Sequence, residues 1–109
     1  MSDERRIHPR QETRVFGRMA HGDRDVDGVL ENVGSGGVFF ATEDLELLVD
    51  DGAQVTVTFE GRRGDAVEEI HCPGRVLRSD RYFDGTHVVR AFAIKFDDLL
   101  PLDGLTLGD

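Results

Sequence analysis

The chain has 109 residues, a formal net charge of −9, 39% hydrophobic and 32% charged residues. That composition suits one small folded domain and excludes an active-site cleft between two domains. No apolar run exceeds four residues, so no stretch is long enough to cross a bilayer as a helix.

In chain order, residues 13–19 and 25–33 read as the first two strands, separated by the turn-forming His21-Gly22-Asp23. The glycine-rich stretch Asn32-Val33-Gly34-Ser35-Gly36 leads into a third strand over 37–42. Residues 43–49 read as one helical turn or a loop. Alternation is clearest over 54–60, where Val55, Val57 and Phe59 share one face and threonines the other. Turns are expected at Asp50-Asp51-Gly52, at 60–65 and at 80–85, leaving strands over 70–78 and 88–96. In the last of these, Val88, Phe92, Ile94 and Phe96 fall on one face, with Arg90 the exception. Six short strands with almost no helical periodicity predict an all-β antiparallel barrel or sandwich. The leucines of 99–109, broken by Pro101, Gly104 and Gly108, read as a short helical or irregular tail.

Charge is unevenly spread. Residues 1–24 hold six arginines against four acids, whereas the remaining 85 residues carry seven basic groups against 18 acids. Twelve of the 13 basic residues are arginine, whose planar fork grips a phosphate or a base edge with two parallel hydrogen bonds. A small basic site on an acidic body suits a small anionic ligand better than a long polyanion, so DNA and RNA are not expected partners. The seven phenylalanines and one tyrosine read as core, not as a stacking platform for nucleic acid.

No enzyme signature stands out. His8, His21, His71, His87 and Cys72 lack the spacing of a structural zinc site, and we expect no metal. Gly34-Ser35-Gly36 is too short for a nucleophile elbow, and a Walker loop is absent. The charged start, Met1 to Arg6, has no apolar segment behind it, so we expect no secretory signal, a cytoplasmic location and no membrane partner.

Two segments remain. Arg5-Arg6-Ile7-His8-Pro9-Arg10 contains an RxxxR pattern, Arg6 and Arg10, ahead of the first strand. Asn32-Val33-Gly34-Ser35-Gly36-Gly37-Val38-Phe39-Phe40 runs from a turn into an apolar strand. Together they resemble the signature of the PilZ family, bacterial receptor domains for cyclic di-GMP: RxxxR followed by [DN]xSxxG. Gly74 to Arg78 and Ala91 to Phe96 look like later strands of that family, so the resemblance covers nearly the whole chain. It implies a six-stranded antiparallel barrel over 13–98, a flexible ligand-binding arginine loop over 1–12 and a tail over 99–109. It also implies cyclic di-GMP as ligand, no cofactor, no catalysis, and a signal passed to an effector protein as the loop orders over the nucleotide.

The binding residues implied are Arg5, Arg6, Arg10, Asn32, Gly34, Ser35, Gly37 and Arg78. Arg6 and Arg10 reach phosphates or guanine edges, Asn32 offers its amide to guanine, and Gly37 admits the ligand close to the backbone. Arg78 stacks on an outer guanine face. Arg5, a third guanidinium next to the RxxxR pattern, suits a stacked pair of nucleotides and therefore two molecules per chain. One residue departs from the family pattern: Gly34 stands where the family has serine, with Ser35 next to it. That leaves an alternative, a PilZ-like barrel that does not bind nucleotide and serves as a protein-interaction adaptor.

Overall fold

Two Gly-Asp pairs shape the first and third hairpins of the barrel. The computed structural model describes residues 10–11, 15–45, 47–83 and 85–107, and among them every regular element is a strand. In chain order these are β1 (Arg10–Gln11), β2 (Val15–His21), β3 (Arg24–Glu31), β4 (Val33–Gly34) and β5 (Gly37–Thr42). They are followed by β6 (Gln54–Arg63), β7 (Ala66–Phe83), β8 (Val88–Phe96) and β9 (Leu105–Leu107). Gly22-Asp23 joins β2 to β3, and Gly64-Asp65 joins β6 to β7; the glycines take φ of 64° and 59°. Positive φ at the first loop position matches the twist of the strands it connects, and only glycine adopts it freely.

The strands β2-β3-β5-β8-β7-β6 are hydrogen-bonded in that order, all antiparallel, and β2 pairs again with β6 from Gly17↔Phe59 to Ala20↔Thr56. That second pairing closes a six-stranded barrel and removes its open edges. Met19, Leu30, Val33, Phe40, Val55, Val57, Val76 and Phe92 are its most deeply buried side chains. The described residues 43–45 and 47–50 form no helix, and they contribute buried Leu47 and Val49. Arg90, the break in the alternation of β8, donates from Nη2 to the Leu45 carbonyl at 3.3 Å.

Four local expectations are corrected. The turn over 60–65 contracts to Gly64-Asp65, because β6 and β7 stay paired to Arg63↔Ala66. The turn over 80–85 begins only after Phe83, because β8 pairs with β7 from Asp80↔Ala91 to Phe83↔Val88. Val88 is consequently 45% exposed, since this hairpin runs past the end of the core. Finally, the tail is neither helical nor wholly irregular. Beyond Phe59 the edge of β6 is no longer taken by β2, and β9 pairs there from Gly61↔Leu107 to Arg63↔Leu105, burying Leu105 and Leu107.

Candidate ligand site on the outer wall of the barrel

The glycine-rich stretch folds as a stepped crossing from β3 to β5. Asn32 ends β3 with φ of 55°, the left-handed region that asparagine tolerates better than most residues. Fully buried Val33 then anchors the turn in the core. The Ser35 carbonyl accepts the Leu100 N–H at 2.7 Å and the Gly36 carbonyl accepts the Phe96 N–H at 2.9 Å. The chain after the barrel therefore holds this turn from behind. Gly37 is needed for packing: a Cβ there would collide with the Ile94 carbonyl of β8.

β1 pairs with β4, placing Arg10 opposite Gly34 and Gln11 opposite Val33. Backbone pairing thus joins the end of the RxxxR segment to the centre of the glycine-rich stretch, although 23 positions separate Arg10 from Val33. Arg5 and Arg6, and most of the expected loop over 1–12, lie outside the described residues.

Arg78 reaches the outer wall through a β-bulge. Along β7, Ile70, Cys72, Gly74 and Val76 point inward, and strict alternation would send Arg78 inward after them. Between Val76↔Ile94 and Arg78↔Ala93 the register shifts by one, with Leu77 as the extra residue. A bulge reverses which face later residues occupy, so Arg78, Asp80 and Tyr82 look outward. The Arg78 guanidinium carbon lies 5.8 Å from the centroid of the Phe39 ring, and Asp80 Oδ2 lies 3.8 Å from Arg78 Nε.

These side chains bound a cavity of about 350 Å³ whose walls include Glu31, Asn32, Phe39, Arg78 and Tyr82. Its floor is made of alanines. Across three strands the rows read Phe39–Ala93–Arg78 and Ala41–Ala91–Asp80. The absence of bulk at Ala93 lets Arg78 reach over to Phe39, and Ala41 and Ala91 leave a flat bed for a planar group. The site has two chemistries side by side: a guanidinium over an aromatic ring, and the carboxylates of Glu31 and Asp80. A guanine suits both, since a guanidinium stacks on its face or grips O6 and N7, while a carboxylate accepts from its N–H groups.

Sequence reading singled out Asn32 and Arg78, and the structure brings them to one cavity. It missed Phe39, the three alanines, Asp80 and Tyr82. Phe39 had a signal, because in Phe39-Phe40 only one ring can face the core. Asp80 and Tyr82 had none, since they fell within the expected turn over 80–85. A larger, shallower concavity of about 610 Å³ lies between β2 and β6 and touches none of the motif residues. Its one cation, Arg18, is already paired with Asp27 at 3.3 Å.

The single cysteine of the chain does not line the cavity. Burial pushes the Cys72 thiol up to about 11, so at neutral pH it stays protonated in the core. Among the described residues no group of His, Cys, Asp and Glu is arranged to hold a metal, and no helix is long and apolar enough to cross a membrane.

The fold is a small closed barrel with a cavity on its outer wall. The sequence matches the PilZ domain family over residues 4–107, and the chain belongs to that family. Solved structures share the fold. The inhibitor of motility MotI/DgrA of Bacillus subtilis superposes with a TM-score of 0.69 at 14% identity, covering 91% of this chain and 46% of that one. PlzA of Borreliella burgdorferi, in complex with c-di-GMP, gives 0.58 at 11% identity, covering 83% of this chain and 40% of its own. The chain thus spans less than half the length of either neighbour. No curated protein matches it in sequence.

Proposed function

We propose that this domain binds cyclic di-GMP on the wall between Asn32 and Arg78 and passes the signal to a protein partner, without catalysis, in the bacterial cytoplasm. The observation that carries this reading is the pairing of Arg10 with Gly34 beside the cavity that Asn32 and Arg78 line. Family membership supports it, as does a fold neighbour solved with that nucleotide. In this reading Arg6 and Arg10 take the phosphates, and Asn32 and Arg78 take the guanines. Isothermal titration with cyclic di-GMP is the direct test, and a protein that takes up no nucleotide overturns it.

Gly34 favours the second reading, an adaptor barrel that no longer binds nucleotide. It sits in strand backbone opposite Arg10, where the family pattern has a serine hydroxyl. Because its φ is not among the positive ones, a side chain at this position meets no left-handed strain. Gly34→Ser is therefore expected to tighten nucleotide binding by up to about tenfold, the worth of roughly one neutral hydrogen bond. Equal affinity in a titration, with unchanged melting temperature, shows that the position faces away from the ligand.

Stoichiometry is tested through Arg5. A stacked pair of nucleotides carries twice the phosphate charge of one, and a third guanidinium satisfies acceptors that would otherwise stay unpaired. We expect two molecules per chain, falling to one in Arg5→Leu with binding retained. The molar ratio is read at protein concentrations well above Kd; a ratio of one for the unmodified protein excludes the pair.

A further inference from the structure

The outer wall continues past the cavity into a second groove of about 330 Å³ that none of the motif residues lines. Its apolar surface comes from Phe16 on β2, Val29 on β3 and Tyr82 on β7, with buried Val89 of β8 beneath them. Phe16, the second residue of β2, is 85% exposed, and Tyr82 is 40% exposed. Large apolar side chains grouped in water mark an interaction surface more often than isolated ones do. Around them stand the carboxylates of Asp27, Glu31 and Glu43, and among the described residues no lysine or arginine lines the groove. Arg18 meets Asp27 and His87 meets Glu43, each at 3.3 Å, but both pairs are solvent-exposed and easily exchanged for others.

From this combination we infer that the Phe16–Tyr82 groove receives a cationic peptide segment of a partner protein, anchored by one or two large apolar side chains between lysines or arginines. Charge complementarity selects the occupant. The acidic rim, on a chain of net charge −9, repels nucleic acid and acidic segments and attracts a basic one. Phe16 and Tyr82 then give the segment's apolar residues a surface to cover, which a purely electrostatic contact would not use. The groove shares Glu31, Ala41 and Tyr82 with the cavity, so its occupant would lie beside the site of the proposed nucleotide. Resting on that proposed function, the anionic nucleotide and the cationic segment favour each other's binding, which gives the receptor its output.

The test uses the intact chain and two labelled peptides, Lys-Leu-Lys-Phe-Lys-Val-Lys and its serine counterpart Lys-Ser-Lys-Ser-Lys-Ser-Lys, followed by fluorescence anisotropy without nucleotide. The apolar peptide is expected to bind at least about tenfold tighter than the serine peptide, and Phe16→Ser or Glu43→Lys to weaken it at least about fivefold. Both substitutions lie at exposed positions, so the fold is retained. Amide chemical-shift changes should cluster at Val29, Ala41 and Val89. Equal binding of the two peptides, indifference to Phe16→Ser, or shifts clustered elsewhere overturns the groove assignment. With saturating cyclic di-GMP the apolar peptide is expected to tighten at least about threefold. Unchanged peptide affinity in a protein that does bind the nucleotide overturns the coupling. A protein that binds the peptide but no nucleotide overturns the receptor reading and upholds the groove.

Discussion

Arg6→Ala and Arg10→Ala are each expected to lower cyclic di-GMP affinity by at least about tenfold, roughly 1.4 kcal/mol, with the melting temperature nearly unchanged. Each arginine offers charge-assisted hydrogen bonds to phosphate, worth about 1.5–3 kcal/mol apiece. Arg10 sharpens the comparison because its backbone is tied to Gly34, while its side chain is the part removed. Calorimetric titration of the parent and both variants, with a thermal melt of each, reads the two quantities separately. If both variants bind like the parent, the RxxxR assignment is wrong.

Arg78 carries the second large effect. Deleting Leu77 removes the bulge yet places Arg78 directly after Val76, so regular alternation still turns Arg78 to the outer wall opposite Ala93. The deletion is therefore expected to keep the fold and to bind nucleotide. Arg78→Ala keeps the bulge and removes only the exposed side chain with its contact to Phe39, so it should retain the fold and bind nucleotide at least about tenfold more weakly. A folded Leu77 deletion that no longer binds shows that the bulge itself, and not only the face of Arg78, shapes the site. Normal binding by Arg78→Ala removes that residue from the ligand.

The neighbouring residues 70–76 show how far sequence carried this reading. Ile70, Cys72, Gly74 and Val76 form a clean period-two pattern that marks a strand and its inward face. Nothing in Arg75-Val76-Leu77-Arg78 announces the bulge, because a bulge is a property of two strands. It exists in the pairing of Val76 with Ile94 and of Arg78 with Ala93, 15 or more positions further along. The same reasoning covers the tail. Its leucines promised burial, but their strand form depended on the edge that β2 leaves open on β6.

The sequence by itself determined the all-β class, a barrel or sandwich, through alternation and glycine-rich turns, while two short motifs, recognisable residue by residue, pointed to the family and through it to the barrel. Those signals are local: each depends on side chains within a few positions of one another. Tertiary structure decided the closure of β2 onto β6, the outward turn of Arg78, the alanine floor beneath it and the exposed groove at Phe16. Each of these depends on the register between strands distant in the chain, and register follows from packing the whole core at once.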